Sequence, residues 1–292
     1  QAILDRFKGD IHEGDVFIFN DPYVGGTHFC DVRVVRPIFY NGEIVSFALT
    51  NGHWADVGGT VPGSFDISAK EHFGEGLRIP PIRIWDRGRY LADVAECLVA
   101  NMRGSADRLG DLRAQAEATR VGEREFLRLI EKYGKETVLA AARECQDYVE
   151  RIARHRIAGL PDGTWETVDF IDQDPDLDEG LIPIKVKMTI QGDKVSYDLT
   201  GSHRYVGCFL NSAFPATLSA LVAGTKAFFP DIPLNAGVLR PLEIVLPAGC
   251  LLNPSPPAAV VAGNVETSQN IVDVNGPAVS YEFQRGFVGS AL

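Results

Sequence analysis

The chain has no CxxC pair, and its five cysteines (Cys30, Cys97, Cys145, Cys208 and Cys250) are odd in number and far apart. That spacing excludes a zinc ribbon and a thioredoxin-like redox site, and reads as buried, reduced thiols in a cytosolic protein. No uninterrupted apolar run approaches the ~20 residues of a membrane-crossing helix. Basic residues are outnumbered, with 28 Lys and Arg against 39 Asp and Glu for a net charge of −11, which argues against duplex nucleic acid and anionic membrane as partners. Nucleotide-binding signatures are missing too. The Gly25-Gly26-Thr27 step lacks the lysine of a phosphate-binding loop, and there is no G-x-G-x-x-G and no G-x-S-x-G. If ATP is used, a different chain binds it. The sequence shows no internal repeat, initiator methionine or signal-peptide pattern, and with its GFVGSAL end it reads as a piece trimmed from something longer.

At 292 residues, 45% hydrophobic and 23% charged, the composition is that of a soluble globular protein with one large domain or two ordinary ones. Residues 1–91 read as β-rich. From 92 to 158 apolar residues recur at helical spacing: Leu109, Leu112 and Ala116; Phe126, Leu127, Ile130 and Tyr133; then Val138, Ala142, Cys145, Val149 and Ile152. Gly104 and Gly134 fall where helices would stop. From 159 to 292 a second α/β region follows, with strands in PDGTWETVDFID, LIPIKVKMTIQ and KVSYDLTG, a turn at Gly192-Asp193, and an apolar helix over 211–229. Ile184, Val186 and Met188 alternate with Lys185 and Lys187, so that strand has one buried face. The expected class is α+β, two β-rich lobes with a helical middle, forming one multi-lobed unit.

The chemistry concentrates between Asn20 and Gly59. NDPYVGGTHFCDV and NGHWADVGG flank two apolar runs joined at Asn41-Gly42, the preferred pair for a type I′ hairpin turn because both positions need positive φ. Tyr40 then pairs with Glu43, and His28, Asp31, His53 and Asp56 gather at the open end. In strict register Asp31 lies opposite Gly52 and His53 opposite Cys30, which turns His53 away from Asp31 unless a bulge, for which Gly52 is a candidate, re-aims it. Pro37 signals an edge or local irregularity. Alone, the His28/Asp31 pair reads as a structural hydrogen-bonding pair. With His53 added it reads as a divalent-metal site suited to Mn, Fe or Zn more than to Ca or Mg. Cys30 is a weaker ligand candidate. Asp56 orients a ligand, moves a proton or serves as a fourth ligand; Asp21 orients a histidine or is turn chemistry. His72, Glu75 and Arg78 read either as a general base with an anion clamp or as a surface salt bridge. GNVETSQN (263–270) reads as a pocket lining, a helix start capped by Thr267 or Ser268, or both.

Long blocks of the chain resemble the hydantoinase B/oxoprolinase family. They are GDVFIFNDPYVGGTHFCDV, NGHWADVGG, EGLRIPP, NMRGSADRLGDLRAQ, FPDIPLNAGVLRPLEIVLPAG and NPSPPAAVVAGNVETSQ, in family order from about residue 10 to 274. The resemblance implies a hydantoinase A-type partner that uses ATP to phosphorylate a carbonyl oxygen, in a cytoplasmic hetero-oligomer. It also implies a metal associated with His28, Asp31 and His53. Two departures bear on this. A segment before GDVF that holds further ligands is expected in the family, and so is a long glycine-rich region after ETSQ. The activity implied is ring-opening hydrolysis of a cyclic amide, with Asp56 and Glu75 as catalytic candidates. The alternative is carboxylation of a ketone such as acetone or acetophenone. From other classes, the rivals are a non-catalytic scaffold with a structural metal and a metal-free interaction module.

Overall fold

The computed structural model describes residues 1–172 and 180–274. The class is α+β, and the chain divides into two compact units. The first comprises residues 1–139 and 256–261, the second 140–255 and 262–292. The boundary falls inside a helix, so the helical middle is shared between the units, and a six-residue segment returns to the first unit late in the chain.

The first unit holds an antiparallel sheet of order β3-β2-β1-β4-β5: β1 Val16–Phe19, β2 Asp31–Tyr40, β3 Glu43–His53, β4 Ile82–Asp86 and β5 Arg89–Tyr90. All four residues of β1 are buried, because both faces of the sheet are covered. Val16 and Ile18 pack with Val32, Val34 and Ile84 against Ala95, Leu112 and Ala116. Those helical residues come from α2 (Ala92–Val99) and α3 (Ser105–Tyr133). Phe17 and Phe19 join Val35 and Ile3, the latter from α1 (Ala2–Phe7). Two of the expected apolar sets lie on the single helix α3, which Gly134 ends; Gly104 starts that helix rather than stopping one. Pro37 lies in β2 beyond the residues that β1 pairs, where its missing N–H is not needed on that side.

The returning segment is held by one side chain. Glu75 is fully buried, and Oε1 accepts the N–H groups of Val260 and Val261, both at 2.7 Å, while Oε2 accepts Val260 N–H at 2.9 Å. His72 N–H donates to Pro257 O at 2.8 Å, and the Tyr23 hydroxyl to Ala258 O.

In the second unit β6 (Gly163–Ile171), β7 (Ile182–Gln191) and β8 (Lys194–Asp198) pair antiparallel, and β9 (Leu242–Val245) pairs parallel to β8. Ile184, Val186 and Met188 are buried and Lys185 and Lys187 exposed, as their alternation requires. They pack with Ala220 and Leu221 of α5 (Phe214–Phe228). α4 (Lys135–Ile157) contributes Ile157 to that core; of its expected apolar set, Val149 is buried and Cys145 exposed. Neither Thr267 nor Ser268 caps a helix start: Gly263–Thr267 is a π turn, and the buried Thr267 hydroxyl donates to Leu210 O. Its backbone lies so close to Asn211 that a Cβ on Gly263 would sit 2.1 Å from Asn211 O. Cys30, Cys208 and Cys250 are buried thiols, but Cys97 and Cys145 are exposed. Among the described residues no helix is long and apolar enough to cross a membrane.

Two stability effects follow. Ile18→Ala, at a fully buried position of the central strand, is expected to lower unfolding free energy by about 2–5 kcal/mol in urea titration. Burial pushes the Glu75 carboxyl up to about 7, against the Val260 and Val261 amides, which favour ionisation. The protonated form therefore suits the fold: its contribution is complete below the ordinary value of 4.5 and is lost as pH rises through 7. The stability of the wild type relative to Glu75→Gln should fall by on the order of 3 kcal/mol across that window. A difference that stays flat with pH would refute the assignment.

Candidate metal centre

Loop 20–30 delivers the first ligand candidates. Asp21 starts a short turn over Pro22–Val24 by accepting Tyr23 N–H at 3.0 Å, so its role is turn chemistry, joined by a 2.7 Å ion pair to Arg78 Nε. The loop folds tightly on itself: a Cβ on Gly26 would lie 2.7 Å from Asn20 O and 2.8 Å from Asp21 O. Thr27 and His28 follow at the mouth of the hairpin.

The hairpin turn is type I′ in character, with φ of 52° at Asn41 and 79° at Gly42, and Tyr40 pairs with Glu43. The strict register does not continue. Phe39 pairs with Ile44 but Ile38 with Ser46, so Val45 is an extra residue in β3. The bulge thus lies next to the turn rather than at Gly52. From there on every pairing is displaced by one, and Asp31 pairs with His53 instead of Gly52. Directly opposed residues share a face, which corrects the expected divergence of Asp31 and His53. Gly52 has a different use: Gln115 of α3 lies so close that a Cβ there would meet its amide at 2.8 Å. Gln115 donates to Val32 O at 3.0 Å and accepts Trp54 Nε1–H at 2.8 Å, fixing the open end of the hairpin to the helix.

Three side chains converge there. His28 Nε2 lies 3.2 Å from His53 Nδ1, and His53 Nδ1 lies 3.4 Å from Asp31 Oδ1. Asp31 Oδ2 lies 3.4 Å from His28 Nδ1 and also accepts the Thr27 hydroxyl. Burial opposes ionisation of Asp31, but His28, Thr27 and His53 outweigh it and hold the carboxyl well below the usual range. His28 is buried, whereas the His53 side chain is 65% exposed, so the cluster opens to solvent on one side. Two imidazole nitrogens 3.2 Å apart cannot face each other with lone pairs alone; a proton or a cation must lie between them. Donors bound at about 2.1 Å to one ion stand roughly 3.0–3.4 Å apart, so the spacing suits either answer. The donor set of two imidazoles and one carboxylate is that of Zn, Mn or Fe.

The Cys30 thiol lies with the two imidazoles in a group whose donor atoms fall within 4.8 Å. Burial, then Asp31 and Asp56, push it up to about 11, which disfavours the ligating thiolate. Asp56 is placed differently. Its carboxylate accepts the N–H groups of Gly58 (2.8 Å), Gly63 (2.9 Å) and Arg103 (3.1 Å) and the Arg103 guanidinium (3.1 Å). Burial raises its pKa, but these donors prevail and lower it. Among the described residues neither Asp56 nor Glu75 hydrogen-bonds to His28 or His53. Arg78 pairs with Asp21 rather than Glu75, so of the two readings of His72, Glu75 and Arg78 the Glu75–Arg78 salt bridge does not form. Sequence reasoning missed Thr27 and Arg103, although the Gly25-Gly26 pair before Thr27 and the NMRGS block around Arg103 were signals for both.

The Hydantoinase B/oxoprolinase family model matches residues 1–288. The beta subunit of caprolactamase from Pseudomonas jessenii is 35% identical over 94% of this chain and 47% of its own length. The B-type subunit of a putative D-/L-hydantoinase from Pseudomonas sp. (strain NS671) is 33% identical over 90% of this chain and 46% of its own. The chain thus spans about half the length of these relatives. The crystal structure of the ATP-dependent caprolactamase from Pseudomonas jessenii superimposes with a TM-score of 0.89 at 34% identity, over 96% of this chain and 48% of that one. A nucleotide-free acetone carboxylase structure shares the fold, with a TM-score of 0.82 at 22% identity over 90% of this chain and 37% of that one. With this sheet, this hairpin and a family match along nearly its whole length, the chain belongs to the hydantoinase B/oxoprolinase family.

Proposed function

We propose that the chain is the metal-bearing portion of an ATP-dependent cyclic amidohydrolase, with His28, Asp31 and His53 as ligands to one divalent Mn, Zn or Fe ion. The observation that carries this reading is that His53 Nδ1, at the mouth of the hairpin, lies 3.2 Å from His28 Nε2 and 3.4 Å from the ionised Asp31 carboxylate. When bound, such an ion supplies Lewis acidity toward a substrate oxygen and lowers the pKa of water.

The remaining work falls to the chain's own side chains. Asp31 is anionic at neutral pH and is fixed on one oxygen by Thr27. With Nδ1–H of His28 directed at Asp31 Oδ2, Nε2 is left as its lone-pair nitrogen. Asp56, bound by three backbone amides and Arg103, positions the loop that follows His53. Glu75 acts through the segment it anchors; its pKa of about 7 suits proton transfer, but its oxygens are engaged by Val260 and Val261. An ATP-binding hydantoinase A-type partner, in a hetero-oligomer, would phosphorylate the amide oxygen. Water then attacks that carbon, the C–N bond breaks as the departing nitrogen takes a proton, and the acyl phosphate left behind is hydrolysed by a second water to carboxylate and phosphate. The relatives named caprolactamase and hydantoinase support a cyclic amide as substrate. A ketone as substrate, trapped by carboxylation, is the alternative that the assay below separates.

Elemental analysis of the purified protein is expected to find about one Mn, Zn or Fe per chain, lost in His28→Ala, His53→Ala and Asp31→Asn. Deleting Val45 should abolish metal binding while keeping the circular dichroism spectrum, because it restores the strict register and turns His53 to the other face. With the partner added, ATP hydrolysis should depend on a lactam or hydantoin and not on acetone plus bicarbonate. Full metal occupancy in the three substituted proteins would defeat the ligand assignment. Stimulation by acetone and bicarbonate alone would replace the hydrolase with a carboxylase.

A further inference from the structure

A second cavity lies in the first unit, apart from the histidine cluster. It measures about 500 Å³, and its walls include Gly59, His72, Phe73, Leu77, Arg78 and Asn101. That is within the size range of small-molecule sites. Three features of its wall stand unexplained by the metal centre. His72 is only 3% exposed, yet its Nδ1 is buried without a hydrogen-bond partner. Such an atom ordinarily finds one. Arg78 is gripped from behind: Nε donates to Asp21 at 2.7 Å, and the guanidinium lies 5.1 Å from the centre of the Tyr23 ring. Its two terminal nitrogens bond to nothing among the described residues. Asn101 donates Nδ2–H to Cys97 O at 2.7 Å, and this bond anchors it at the cavity rim.

We propose that this cavity binds a small oxyanion, the phosphoryl or carboxylate group of a small molecule, through the terminal guanidinium nitrogens of Arg78 and the Nδ1–H of His72. A guanidinium fork held by a buried carboxylate is preorganised for bidentate recognition of such groups. The carboxylates that face His72 are Asp21, which is itself bound to Tyr23 N–H, and Glu71. Burial and the charge of Arg78 hold His72 below its ordinary pKa, which keeps it a neutral N–H donor. His72 also packs 5.7 Å from the ring of Phe29, the neighbour of His28 in sequence, so the cavity adjoins the chain segment that supplies the cluster. The inference does not depend on a metal being bound there.

Isothermal titration calorimetry with inorganic phosphate, and separately with acetate, tests it. Saturable binding of at least one is expected, weakened about tenfold or more by Arg78→Gln and severalfold by His72→Phe, which keeps the ring packing and removes the Nδ1–H, and unchanged in His28→Ala. The tighter probe tells whether a phosphoryl or a carboxylate group is the natural ligand. Saturation should also move the ¹⁵N signal of His72 Nδ1. Arg78→Gln leaves Asp21 buried without its partner; should it fail to fold, His72→Phe and the His72 signal decide. Absence of saturable binding of both anions up to about 20 mM would overturn the proposal. So would binding that His28→Ala abolishes and His72→Phe spares, since the anion would then belong to the histidine cluster.

Discussion

The geometry of the candidate centre depends on one extra residue. Val45 has no partner across the hairpin, and that single insertion displaces the pairing over the following positions until Asp31 faces His53. Strand side chains alternate with a period of two, so a bulge near the turn has the same effect at the far end as one beside the site. The bulge is tolerated where it is because β2 there has only β3 as a partner, β1 having ended its pairing by Val35. The open end, by contrast, is locked. Gln115 joins Val32 and Trp54, and Gly52 gives it room, so the register set near the turn is held rigidly where the ligands meet.

Electrostatics at the hairpin mouth divides the acidic residues by task. Asp31 and Asp56 are both kept ionised, but by different partners. Asp31 has side-chain neighbours that are themselves ligand candidates, whereas Asp56 is surrounded by backbone amides and an arginine. A carboxylate whose lone pairs are occupied by its own loop shapes that loop; one whose neighbours are imidazoles remains available to a cation. Glu75 is a third case, a carboxyl without a cation, pushed up by burial and facing two main-chain donors.

Much of this was legible in the sequence. The Asn41-Gly42 turn fixed the hairpin, the alternation in Ile184 to Met188 identified a half-buried strand, and the His28, Asp31 and His53 spacing pointed to one cluster. The bulge was not legible at its true place, because Val45 in a run of apolar residues carries no turn or glycine signal. Likewise the ion pair of Arg78 with Asp21 joins residues 57 positions apart, so local proximity favoured Glu75 instead. The sharing of the helical middle between two units is set by packing, which periodicity does not report. The late return of 256–261 is invisible for the same reason.

That return has a consequence for how the protein is made. The amides that Glu75 accepts lie 185 and 186 residues downstream, beyond residues 140–255 of the second unit. As the chain leaves the ribosome, the sheet and its helices can assemble early, but the carboxyl must stay solvated until residue 261 emerges. The first unit therefore closes only after residues 140–255 of the second have been made, and that step closes one of the longest loops in the molecule. Closure entropy grows only slowly with loop length, so the cost falls on the rate of this step more than on the equilibrium.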